Sequence, residues 1–191
     1  MRIDYQLELL SDWHCSAGMN AGAQADVVVL KDNHRLPYIS GKTIKGLLKD
    51  AAMDMWEARG KGIAIDDIHA VFGREHKDEN GKVLETDAGH TFFSNAIVPT
   101  AEREEIVGNE WQYLLYRQQA STRIERQTGL AKKGSLRSME VCMPLCLTGF
   151  LESEKALPEY LLESCFSWTR HLGVGRNRGL GRCQFTNLKF S

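Results

Sequence analysis

Two residues in the first thirty have side chains suited to moving protons, His14 and Asp26. They bracket a stretch of small residues that includes Gly18, Ala21, Gly22, Ala23 and Ala25. A carboxylate and an imidazole at the ends of such a loop can serve as base and acid, and a carboxylate can also hold a divalent cation. By residue type alone, Asp26 also suits a loop cap and His14 a polar strand end, so both readings stay open. The chemistry that fits the pair is attack by a ribose 2′-hydroxyl on its own phosphodiester. That reaction needs a base at the hydroxyl and in-line placement of the phosphate.

Holding a phosphodiester backbone requires cations, and the net charge of −1 makes no case for them. Their distribution does. Arg117, Arg123, Arg126, Lys132, Lys133 and Arg137 stand in one segment against Glu125 alone, and Arg170, Arg176, Arg178 and Arg182 stand in another with no acid. Such a track on a nearly neutral protein fits a polyanion bound at one face, whereas either cluster alone could be a solvated surface. The second cluster falls in a loop with Gly173, Gly175, Gly179 and Gly181. Glycines let a backbone approach a ligand and arginines supply charge for phosphates; a tight turn with surface arginines is the plainer alternative.

Several motifs are excluded by context. The Gly173–Gly181 loop follows a helical pattern and precedes a strand, the reverse of a dinucleotide fingerprint. Gly41-Lys42-Thr43 resembles the end of a P-loop, but Leu36 stands where the earlier glycine is required. His69, His76 and His90 lack metal-ligand spacing and read as loop or surface histidines. Five cysteines without a C-x-x-C pair imply free thiols in a reducing, cytoplasmic setting. Cys142 and Cys146 read as strand residues facing the core, with a zinc site the weaker reading.

The elements that must position these groups follow from periodicity. Ile3, Tyr5, Leu7 and Leu9 alternate with polar residues, predicting a strand and not a signal peptide. Val27–Leu30 is expected to pair with Arg35–Ile39 across the Asp32-Asn33-His34 turn. Ser40-Gly41 starts a helix to about Ala58, with Ile44, Leu47, Leu48, Ala51 and Met55 on one stripe. A short helix over Ile65–Phe72 precedes a polar stretch, Arg74–Gly89, read as a flexible loop. A strand over Thr91–Val98 comes next, and Thr100–Gln119 has no clear pattern. Thr122–Glu125 and Leu136–Cys142 are expected to be the arms of a hairpin, and Leu157–His171 a helix before a last strand, Cys183–Phe190. The order is α+β: a ferredoxin-like, RRM-like βαββαβ core with inserted pieces. At 191 residues, 42% hydrophobic and 26% charged, one domain with a full core is expected. No apolar run approaches the ~20 residues of a membrane span.

Asp26-x-x-Val29-Leu30-Lys31-Asp32, followed by Leu36-Pro37-Tyr38-Ile39-x-Gly41-x-x-x-Lys45-Gly46, resembles the RAMP superfamily of CRISPR-associated proteins. Within it, the pattern is similar to the repeated backbone subunit of type III effector complexes. Val71-Phe72-Gly73, Phe92–Val98, the Arg123–Ala131 segment with Gly134-Ser135-Leu136 and Glu140, and Gly173–Gly181 resemble further family blocks in the right order. The loop is Ala-rich where the family often has paired glycines, and Glu125 stands where its thumb often carries Asp.

The resemblance implies a single domain over residues 1–191, with insertions at about 60–90 (a lid) and 117–142 (a thumb hairpin). It implies copies of the chain stacked along a guide crRNA with other CRISPR effector subunits, cleaving the complementary target RNA at regular intervals, in the cytoplasm and without a membrane. Asp26 falls on the family's catalytic acid and would hold a divalent cation, Mg2+ or Mn2+, and His14 matches a nearby loop histidine. Lys42, Lys45, Arg123, Arg126, Lys132, Arg176 and Arg178, with Gly173, Gly175 and Gly179, are the implied RNA contacts. Two other readings share the fold: a guide-binding scaffold that does not cut, and a guide-processing endoribonuclease, which would call for a second domain. A single RNA-recognition domain outside CRISPR would need aromatics on its sheet, for which Phe92-Phe93 is the candidate.

Overall fold

The computed structural model describes residues 1–16, 27–59, 63–78 and 81–191. Asp26 and the small-residue loop lie outside the described residues. The first strand, β1 (Arg2–Leu9), buries every second side chain, as its alternation requires. β2 is Tyr38–Ile39, and Val27–Leu30 joins it loosely: Lys31 bridges Pro37, and the Tyr38 N–H donates to the Leu30 carbonyl at 3.2 Å. Helix α1 (Gly41–Arg59) starts under the Ser40 hydroxyl, which accepts the Thr43 N–H, an N-cap of the expected kind. A Cβ on Gly41 would lie 2.0 Å from the Phe93 carbonyl oxygen, so glycine is what lets this helix start press on the next strand.

Helix α2 (Ile65–Phe72) ends at Gly73 as the sequence predicts. The stretch beyond it is not the expected loop. Arg74–Lys77 (β3) and Val83–Asp87 (β4) form a hairpin that pairs only with itself. Every residue of β4 is exposed, so no alternation marks it; backbone pairing, Asp78 accepting the Lys82 N–H, and a His76–Asp87 hydrogen bond hold it instead. Strands β5 (Thr91–Phe93) and β6 (Ala96–Ile97) follow, then α3 (Thr100–Gly108) and a 3-10 turn over Trp111–Leu115.

The long hairpin is displaced from its expected arms. Its ladder joins β7 (Tyr116–Ser121) to β8 (Arg137–Cys142), while Thr122–Glu125 lies in the tip, where Ile124 bridges Ala131. Beyond Tyr116, β7 is exposed on both faces, so it carries no period-2 signal. Strand β9 (Cys146–Ser153), helix α4 (Glu159–Trp168) and strand β10 (Cys183–Phe190) complete the chain; α4 is shorter at both ends than its periodic stretch.

The main sheet runs β10-β1-β9-β6-β2, with β5 also on β9, and its neighbours are antiparallel. This is the split βαβ order, and it confirms the α+β, RRM-like class. Ile3, Tyr5 and Leu7 pack with Ile44, Leu48, Leu162 and Phe166, so α1 and α4 cover one face of the sheet. On that face the Tyr5 and Phe166 ring centroids lie 5.6 Å apart. Asn187, in β10, adopts a left-handed φ of 52° close to a register shift against β1.

Candidate nucleic-acid interface

The two basic clusters of the sequence meet. Arg123, Lys132, Lys133 and Arg137 from the long hairpin and Arg178 from the glycine-arginine loop line one cleft of about 540 Å3, with Ser121, Thr122 and Ser135 and no acid. Ser135 braces the hairpin here: its hydroxyl accepts the Arg123 N–H at 3.1 Å and donates to the Lys132 carbonyl at 2.6 Å. Five cations gathered without a carboxylate repel one another, and a bound polyanion relieves that repulsion. Arg126 lines an adjoining hollow with Arg123 and Lys132.

The other expected RNA contacts do not join this cleft. Arg176 lines a separate cleft that also holds Asp50, Asp54 and Arg170. Lys42 is exposed and Lys45 half-buried on the first turns of α1, and neither lines the basic cleft. Arg117, counted in the basic track, is neutralised by a bidentate pair with Asp12. Gly175 and Gly179 bracket the Arg176–Arg178 turn in left-handed conformations. Gly173 serves the protein's own packing: a Cβ there would lie 2.1 Å from the His14 carbonyl oxygen. Its neighbour Val174 donates its N–H to that same oxygen. The loop's glycines thus seat Arg178 by docking the turn on the exit of β1.

His14 lies fully buried. Its Nδ1 stands 2.6 Å from the Glu140 carbonyl oxygen, so that nitrogen donates, while Nε2 finds no partner among the described residues. The ring is therefore placed inside the molecule and not at an open surface.

One residue that the sequence reading did not single out as a site organises the ends of the small-residue loop. The Glu140 carboxylate accepts the Val29 N–H at 3.0 Å and the Lys31 ammonium at 2.8 Å. Its backbone N–H donates to the Val27 carbonyl, and its carbonyl accepts a hydrogen bond from His14 Nδ1. Both flanks of residues 17–26 are thereby tied to one position on β8. The sequence signals were its place in the family's hairpin block and its standing, with Glu125, as one of two acids in a basic hairpin. Beyond the loop, Asp32 accepts the His34 and Leu36 N–H groups and pairs with Arg103 of α3 at 2.6 Å. Burial raises its pKa, but those hydrogen bonds and the Arg103 charge outweigh burial and hold it below the usual carboxylate value.

Among the described residues, no group of three His, Cys, Asp or Glu stands where it could hold a metal ion. Glu140 and Asp12, near the flanks of residues 17–26, are already engaged by Lys31 with Val29 and by Arg117. Asp26, to which the family resemblance assigns the divalent cation, lies outside the described residues. Burial pushes the Cys15, Cys142, Cys165 and Cys183 thiols up to about 12, in keeping with their place in the core. Phe93 is buried and stacked on Phe72, leaving Phe92, 60% exposed, as the open aromatic of that pair.

A split βαβ sheet bearing a long hairpin, with a cationic cleft where the hairpin meets a glycine-arginine turn, defines a ferredoxin-like domain elaborated at one end. The RAMP superfamily profile matches residues 6–184, and the chain belongs to that superfamily, as the sequence motifs imply. A chain of the type III-B Cmr-beta complex, solved by cryo-EM in the apo state, superposes with a TM-score of 0.71 at 12% identity. The match covers 97% of this chain and 96% of that one. A chain of the type III-B Cmr-beta complex bound to cognate target RNA gives 0.65 at 11% identity, with the same coverage. At these identities the likeness is one of fold. No curated protein matches. Among the described residues no helix is long and apolar enough to cross a membrane.

Proposed function

We propose that this chain is a type III CRISPR effector subunit that binds guide crRNA and cleaves the paired target RNA, assembled with copies of itself and other effector subunits. The observation that carries the binding half is the acid-free cleft of Arg123, Lys132, Lys133, Arg137 and Arg178. The cleavage half rests on Asp26, which the family motif singles out, and is supported by the anchoring of both flanks of residues 17–26 on Glu140. In this reading the Asp26 carboxylate takes the proton of a target 2′-hydroxyl, and the resulting oxygen attacks the adjacent phosphorus. The P–O5′ bond breaks, leaving a 2′,3′-cyclic phosphate, and the departing O5′ takes a proton from water to become a 5′-hydroxyl. A divalent-cation requirement belongs to the same resemblance, and no step above is routed through the ion.

The burial of His14 favours a second reading, a scaffold that binds without cutting, because it removes one implied catalytic group from reach of RNA. The test is cleavage of an end-labelled, guide-complementary RNA by the assembled complex, with and without Mg2+ or Mn2+, for wild type and Asp26→Ala. Regularly spaced products that vanish in the variant while RNA binding persists support the nuclease. Binding with no products from either protein establishes the scaffold.

A further inference from the structure

Where α1 meets the end of α4, two hollows of about 330 and 460 Å3 adjoin, sharing Trp168 and Arg170. Along α1 they take in Leu47, Asp50, Ala51, Asp54 and Met55, which recur at the three- and four-residue spacing of one helix face. Leu47 and Met55 are separated by a rise of about 12 Å, so the trough is about two turns long. Its base is closed, since Ala51 and Met55 are buried in the core. Trp168 stands open at its junction. At 48% exposed it is the most open of the four tryptophans, although it ends a helix whose Leu161, Leu162, Cys165 and Phe166 are buried.

The charges of the trough are sorted by element. Asp50 and Asp54 stand on α1, one turn apart, whereas Arg170 and Arg176 stand beyond the end of α4, the second in the glycine-arginine turn. No ion pair among the described residues engages any of the four. Opposite charges that share a cleft without touching favour a guest that carries both signs and bridges them. A nucleic-acid strand is the wrong guest, because the two carboxylates repel its phosphates. An α-helix fits the length and the pattern, and helices dock in such grooves through side chains three and four residues apart. We propose that the trough is a docking site for an α-helix of another protein. A Lys or Arg pair four residues apart on that helix meets Asp50 and Asp54, acids on its other flank meet Arg170 and Arg176, and an apolar side chain between them covers Trp168. No residue of the cationic cleft lines this trough, so the site stands whether or not the chain binds RNA.

The test is fluorescence anisotropy of a labelled, alanine-based helical peptide of about 15 residues titrated with the full chain. The peptide carries two Lys spaced i, i+4 on one flank, two Glu so spaced on the other and Leu between them. Saturable binding is expected, weakened about 10-fold by Trp168→Ala and lost in the double charge reversal Asp50→Lys with Asp54→Lys. A second peptide, with Glu in place of its Lys pair, should bind the reversed protein about 10-fold more tightly than wild type, a gain that a misfolded variant could not give. Absence of saturable binding, or binding that the reversal leaves unchanged, overturns the proposal. Displacement of the peptide by a single-stranded RNA decamer assigns the trough to nucleic acid and overturns it too. So does self-association, measured by sedimentation, that the reversal abolishes, since it assigns the trough to a second copy of the chain. A decamer that fails to bind at all counts against the RNA-binding reading and leaves the peptide result standing on its own.

Discussion

Glu140 concentrates more structure than any other charged side chain near the loop, because its main chain and its carboxylate bind different partners on both flanks. Glu140→Ala should cost about 1–3 kcal/mol in urea denaturation, since the buried Val29 N–H and the Lys31 ammonium lose their acceptor together. Glu140→Gln keeps an acceptor for Val29 and should recover part of that loss; equal losses would show that the Val29 bond contributes nothing. Asp32 makes a pH-dependent contribution of known sign. Its carboxyl is held below the ordinary 3.8, so its stabilisation is present above that value and is lost as pH falls through the lower folded value. Asp32→Asn should therefore lower the Tm at neutral pH and have a shrinking effect as the solution is acidified. A gap between the two proteins that stays constant down to about pH 2.5 would contradict this. Neither role was legible in the sequence, where Glu140 is one acid in a polar strand and Asp32 one turn residue. Their long-range partners come from 71 to 126 positions away.

At the scale of elements, legibility followed burial. β1 was readable because Ile3, Tyr5, Leu7 and Leu9 face a core while their neighbours face solvent, and α1 because its apolar stripe meets that core. The hairpins were not readable, because backbone pairing and exposed polar contacts, rather than alternating burial, hold strands that are exposed on both faces, as in β4 and most of β7. The basic clusters were visible as composition, yet only the fold shows that Arg178 joins Arg123 and Lys132 while Arg176 lines a different cleft with Asp50, Asp54 and Arg170. That division has a thermodynamic signature. Each cation that neutralises a phosphate of single-stranded RNA contributes ~0.7 to the slope of log affinity against log salt. Lys132→Ala and Arg178→Ala should each reduce that slope by about this amount, while Arg176→Ala should leave it nearly unchanged. A salt titration of RNA binding by the three variants checks this, and equal slopes for all three would mean the cleft is not where the strand lies.

Across the whole molecule, a formal charge of −1 conceals a strong division of labour. The long hairpin and the glycine-arginine turn gather cations without matching acids, whereas the open face of the sheet mixes Asp4, Glu8 and Glu152 with Arg2, which pairs with Asp4, and with Lys189 opposite it. Such separation steers a polyanion to one end of the domain without making the protein basic overall. The far margin of that sheet is β10, which pairs with β1 on one side and with no described strand on the other. A long, flat strand with a free margin is a template on which identical molecules can add end to end as fibres. Asn187 works against that outcome. Its left-handed backbone and the nearby register shift bend β10 so that the free N–H and C=O groups do not form one straight row. In a crowded cell, that single kink helps keep the domain from polymerising along its own sheet.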